Sequence, residues 1–322
     1  MAPTEKRPAR RAALWRETAG TLAVVADEAG FARMRRYPTF RFTDHAGYLR
    51  QAEAQLRLLA ARHGHAGVAL FDPEDFAAFC GREGIEPDSP ASRARYTAEL
   101  AARGATVPYR GQPIGSLLPE LLAERLRRET WEAGTALLAA AGSCPACGAP
   151  MPRCAFRRGA ALFTAVLGLL GPGKHRLVCS LLARVGPLTA AVRIEVGPDG
   201  TRRLAEPKAL VVCTVLAAAL ATGDPGGLVL RSAPPAGPPG APGGPGQDGR
   251  DGAPGEGRAG RDGAGAEVCG WSLQRGRVRP LAEAEVFSAY CTDVRTGDPI
   301  PPEPGVRYRP APVLPTPRCP GP

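Results

Sequence analysis

The sequence predicts an α/β protein in two parts. An N-terminal, mostly parallel sheet with helices on both faces is followed by a smaller α+β domain with a zinc knuckle at the junction. Three observations carry this. Short β-branched runs alternate with capped helical stretches from Thr21 to Gly142, longer alternating strands follow, and Cys144-Pro145-Ala146-Cys147-Gly148 sits where the pattern changes. At 322 residues, 44% of them hydrophobic, the chain is long enough for two cores.

Residues 1–16 read as a basic arm. In the first domain, 17–142, Thr21 to Ala26, Thr39 to Phe42, Gly67 to Phe71 and Ala105 to Tyr109 have the apolar, β-rich texture of strands. Helices separate them. Asp44 caps one whose stripe is Tyr48, Leu49, Ala52, Leu56 and Leu59, and Gly64 closes it. Asp88 or Ser89 opens the next, with Pro90 in its first turn and Gly104 at its end. A long helix then runs from about Leu117 to Ala141.

The second domain is read as two stretches, 143–232 and 268–294. Lys174 to Leu182 and Thr189 to Val196 are strands, Gly197 to Gly200 is a turn, and Pro207 to Thr222 is a helix. Leu228 to Arg231 and Trp271 to Val278 can pair as a hairpin, ahead of a short helix from Leu281 to Tyr290. Between those strands, residues 233–267 contain seven G-X-Y triplets beginning at Gly237, and five of those 21 residues are proline. That is collagen-like composition, but the run is short and its period breaks, so a disordered loop is expected. The tail, 295–322, has ten prolines and no apolar periodicity, which predicts extended chain.

The apolar stretches Ala160 to Gly171 and Ala209 to Ala221 are too short to span a bilayer and read as buried helices. No signal-like run follows the basic start, so the expected site of action is the cytoplasm, without membrane contact. There, nine cysteines stay reduced, and metal binding is the better use of a close pair.

A C-x-x-C turn aims two thiolates at one ion, and glycine after the second cysteine frees backbone amides to approach the sulfurs. Structural zinc needs two more ligands. Cys154 and Cys179 are the preferred completing pair for Cys144 and Cys147. His175 is the reserve, because two positions four apart on a strand lie ~13 Å apart and cannot share an ion with Cys179.

Charge around the knuckle is one-sided. No carboxylate occurs from Ala133 through Ile194, and the net charge of the whole chain is +10. Arg153, Arg157 and Arg158 are candidates for contact with nucleic acid or another polyanion. Arginine-rich genome composition is a rival explanation of the excess, since only three of the 41 basic residues are lysine, and a solvated basic face is the favoured reading of the stretch. Aromatic residues for base stacking are few in this stretch.

Asp27 and Asp72 follow strands directly, where ligands of parallel sheets bind. With Asp75 and His45 nearby they offer an alternative, Mg²⁺-dependent chemistry on phosphate esters. Helix capping is the favoured role, because Pro73 and two acids in the next turn are what a helix start requires. Dinucleotide-binding, P-loop, zincin and hydrolase-elbow signatures are missing from the sequence. The leading expectation is therefore a non-enzymatic, zinc-containing binding or regulatory protein. Tyr37-Pro38-Thr39-Phe40, Leu70-Phe71-Asp72-Pro73 and Tyr290-Cys291-Thr292-Asp293 resemble segments of conserved hypothetical proteins of actinobacteria, a resemblance that implies no activity.

Overall fold

A computed structural model describes residues 20–235, 265–294, 296–315 and 319. The basic arm and most of the Gly/Pro-rich stretch lie outside the described residues, as does part of the Pro-rich tail. Two compact units divide the chain, Met1–Arg128 and Glu129–Pro322. Helix α5 (Ile114–Ala139) begins in the first and ends in the second, whereas the sequence suggested a division at 142.

In the first unit β1 (Thr21–Val24) leads through α1 (Glu28–Met34) and α2 (His45–His63) to β2 (Ala66–Leu70). From β2 the chain passes through α3 (Pro73–Glu83) and α4 (Pro90–Ala102) to β3 (Thr106–Tyr109). β1 pairs with β2 in parallel, but β2 pairs with β3 antiparallel, so this sheet is mixed rather than mostly parallel. The helix count explains it. Between β2 and β3 lie two helices of similar length, which carry the chain away and back, so β3 starts from the end at which β2 finished. Between β1 and β2 only α2 is long enough to span the sheet, and the strands come out parallel.

The expected strand at Thr39 to Phe42 is irregular chain. Its apolar residues serve the core instead: Phe40 packs edge-on to Phe31 at 5.7 Å, and Phe42 packs on Tyr48 at 5.0 Å. Alternating aromatics bury equally well in an aromatic cluster as on a sheet, and here the aromatic partners decide.

The second unit, expected to be the smaller, holds the larger sheet. Its strands are β4 (Gly173–Ala183), β5 (Gly186–Val196), β6 (Arg202–Leu204), β7 (Gly226–Ala233), β8 (Glu267–Gln274), β9 (Arg277–Pro280) and β10 (Arg307–Tyr308). The order is β10-β8-β7-β4-β5-β6, with β9 on β8, and all neighbours are antiparallel except β10 with β8. Burial alternates along β4 and β5, so one face is core and the other faces outward.

Against the core face lies α7 (Glu206–Thr222), eleven of whose residues are buried. A helix apolar all round has to be covered on both sides. Here α6 (Met151–Gly168) supplies the second cover. The crossing is close at Gly159, where a Cβ would stand 3.0 Å from the Ala217 amide nitrogen and the Cys213 carbonyl oxygen. A last helix, α8 (Glu283–Tyr290), packs on β7, β8 and β10 with Val286 fully buried. No helix of the described residues is long and apolar enough to cross a membrane.

Candidate metal centre

The knuckle is a turn closed by backbone bonds. Cys144 donates its amide to the Ala149 carbonyl and Gly148 donates to that of Cys144, both at 2.8 Å, and Ser143 bridges Pro150. Gly148 has φ +69°, a left-handed conformation that glycine adopts without a Cβ penalty, so its position after the second cysteine has a direct backbone cause. α6 starts immediately afterwards, and its first turn delivers Cys154 toward the knuckle.

The fourth thiol in this group is Cys319, not Cys179. Sγ atoms of Cys144, Cys147, Cys154 and Cys319 all lie within 4.8 Å of one another. Cys319 stands 3.3 Å from both Cys144 and Cys154. A tetrahedron of thiolates around zinc, with bonds of ~2.3 Å, has sulfur–sulfur edges of ~3.8 Å, and the observed group brackets that size. Four sulfur donors and no open position suit a soft or borderline ion in a structural role.

The electrostatics divide the four. Amides of Ala146 and Cys147, together with Cys319, hold the Cys144 thiol down to about 6, so it is a ready thiolate. Burial pushes the Cys154 thiol well above its ordinary value, reinforced by the neighbouring sulfurs. Four thiols packed this closely cannot all ionise without a cation among them, which is the service a metal performs.

The tail brings Cys319 to the site. Arg307 and Tyr308 of β10 lie alongside Glu267 and Val268 of β8. Further on, the Ala311 amide donates to the Leu281 carbonyl at 3.1 Å, Trp271 Nε1 donates to the Pro312 carbonyl at 2.7 Å, and Leu314 is buried. Proline lacks an amide donor but keeps its carbonyl, so an extended Pro-rich strand can still be held from one side.

Cys179 and His175 serve elsewhere. Cys179 points into the core from β4 and is fully buried; burial, then the neighbouring Cys213, raises its thiol. His175 spends both ring nitrogens, Nδ1 with Ser232 Oγ at 2.9 Å and Nε2 with the Gly171 carbonyl at 2.8 Å. Burial lowers its basicity. The reason Cys179 is absent from the group is strand alternation, which turns it to the α7 side.

The carboxylates of the first unit are capping groups. Asp27 Oδ1 accepts from the Gly30 amide at 2.6 Å at the start of α1. Asp72 Oδ1 accepts from Glu74 and Asp75 at 2.8 and 3.1 Å at the start of α3, and its other oxygen is paired with Arg125. Asp75 is 3.9 Å from the same guanidinium. His45 places Nε2 3.1 Å from the Val25 carbonyl and Nδ1 3.2 Å from Glu28. Among the described residues, only the four cysteines form a group with metal-holding geometry.

Of the candidate arginines, Arg153 and Arg157 are exposed one turn apart on α6, while Arg158 is half-buried and donates to the Gly276 carbonyl at 3.3 Å.

Residues 8–112 match a family described as a domain of unknown function, DUF8829. The match covers a third of the chain, falls in the first unit, and leaves the cysteine group outside it. No curated protein and no solved structure is similar to the chain.

Proposed function

We propose that this chain is a non-enzymatic, zinc-containing binding protein with a nucleic acid or another polyanion as its partner. A structural four-cysteine centre locks the C-terminal segment onto the second unit. The observation that carries the zinc part is the convergence of four thiols from a turn, a helix start and a tail 165 residues beyond Cys154. A metal there closes a loop of that length, which restricts the unfolded chain far more than a local knuckle would. The polyanion part rests on the net charge of +10 and the carboxylate-free stretch around the knuckle.

Elemental analysis of reduced, purified protein tests it: about one zinc per chain is expected, and Cys319→Ser is expected to lose it as completely as Cys147→Ala. A reduced wild type without zinc, or full retention by Cys319→Ser, would overturn the assignment. In a metal-loaded protein, chelation is expected to lower the melting temperature of the second unit.

A further inference from the structure

Three arginines stand side by side on the outward face of the larger sheet. Register places Arg176 of β4 directly opposite Arg193 of β5 on one side and Arg231 of β7 on the other. Residues so opposed have Cβ atoms ~5 Å apart, and like charges in that position repel. Three strands in a row therefore carry an unfavourable arrangement at positions where any polar side chain would do.

Among the described residues, a carboxylate forms a close ion pair only at the Arg231 end of the row, and its charge also reaches Arg176. Glu303 takes Arg231 in a two-point bond, 2.9 Å to Nε and 2.5 Å to Nη2, and Tyr290 donates its hydroxyl to the same carboxylate at 2.7 Å. This fixes Arg231 and leaves Arg176 and Arg193 exposed beside it. In the next row along the strands, Glu195 lies between Lys174 and Arg203, so the patch has five cations to two carboxylates. On the other side of the arginine row come Ala191, Val178 and Val229, a low floor without aromatic rings.

We infer that the Arg193–Arg176–Arg231 row is the surface on which this protein binds the phosphodiester backbone of a nucleic acid. The inference rests on the polyanion reading above and gives that partner its location. Guanidinium forks hydrogen-bond phosphate oxygens, and Arg176 and Arg193, on neighbouring strands ~5 Å apart, can both meet the phosphates of one strand, while Arg231, held by Glu303, borders them. The floor beside Arg176 and Arg193 carries no aromatic ring, and Tyr290, at the Arg231 end, spends its hydroxyl on Glu303, so binding is led by electrostatics and indifferent to sequence. The α6 arginines, Arg153 and Arg157, belong to a helix that covers α7 on the opposite side of this sheet and play no part.

Fluorescence anisotropy with a labelled dT20 oligonucleotide at 50 mM salt tests this on the full-length, zinc-loaded chain. Arg176→Gln/Arg193→Gln keeps the aliphatic stems and removes the charges. It is expected to weaken binding at least ~5-fold and to reduce the slope of log affinity against log salt by ~1.4, about 0.7 for each lost phosphate contact. Inorganic polyphosphate is expected to compete, since the face reads phosphate alone. The same oligonucleotide should raise the melting temperature of the wild type and not of the double variant. Wild-type affinity in the sheet variant, with the loss appearing in Arg153→Gln/Arg157→Gln, overturns the location and leaves the polyanion reading standing. No binding by wild type at 50 mM salt removes both, while zinc content in the same samples reports separately on the metal centre.

Discussion

At the scale of single residues, Cys179 and Cys319 exchange the roles that spacing suggested. Cys179 is closer in sequence to the knuckle, yet it is a core thiol on β4 and is raised by burial. Replacing it with alanine should therefore leave zinc content unchanged and cost about 1.5 kcal/mol for the lost packing, read by chemical denaturation alongside elemental analysis. Loss of zinc in Cys179→Ala would contradict the ligand set. Three of the four thiols were legible because a turn and the helix after it fix them within eleven residues. Cys319 was not, since a tail's path is set by contacts such as Trp271 with Pro312, which leave no periodic trace.

Asp72 is also decided at this scale. Partial burial pushes its carboxyl up, but Arg125 and the amides of Asp75 and Glu74 outweigh that and hold it below the ordinary carboxylate range. The sequence announced the cap, but not Arg125, which lies 53 residues away. Asn keeps the cap and loses the ion pair, so Asp72→Asn should cost about 1 kcal/mol rather than nothing. A carboxyl with a depressed folded-state pKa stabilises above its unfolded value of ~3.9 and loses that contribution as pH falls through the folded one. The difference between wild type and Asp72→Asn should thus be constant from about pH 5 to 7 and shrink below about pH 4 in urea titrations. A difference that grows on acidification would show that another group is responsible.

At the scale of elements, the periodicity of α7 is instructive because it has none. Its burial on all sides marked it as an interior helix from sequence, but which element covers it depends on Gly159, a residue without a side chain to read. Substituting valine there would drive two methyl groups into the Cys213–Ala217 backbone of α7. Gly159→Val should cost about 2 kcal/mol by overpacking, despite valine's better helix propensity. A thermal melt showing an unchanged or raised transition would mean that α6 and α7 do not cross here. The strand expected at Thr39 to Phe42, which is irregular chain, and the direction of β3 were misread for a related reason. Both depend on what lies beside the segment, aromatic partners in one case and a second helix in the other, rather than on its own pattern.

At the scale of the whole chain, the long insertion falls between strands that are already partners. β7 and β8 pair from Gly226 with Leu273 to Ser232 with Glu267, so their ends meet where residues 236–264 depart. β8 also carries β10 and, through Trp271, the segment leading to Cys319, so the four-cysteine group proposed to hold zinc is tied to that hairpin. Closing a loop costs ~0.6 kcal/mol per doubling of its length, so replacing these residues with a four-residue turn should favour the folded state by up to about 2 kcal/mol. The shortened chain is expected to keep its zinc, its molecular mass in solution and its circular dichroism in the helix and strand regions. A wild type that is trimeric, and a shortened chain that is not, would instead assign the G-X-Y triplets to triple-helix assembly, which requires three chains in register at that point.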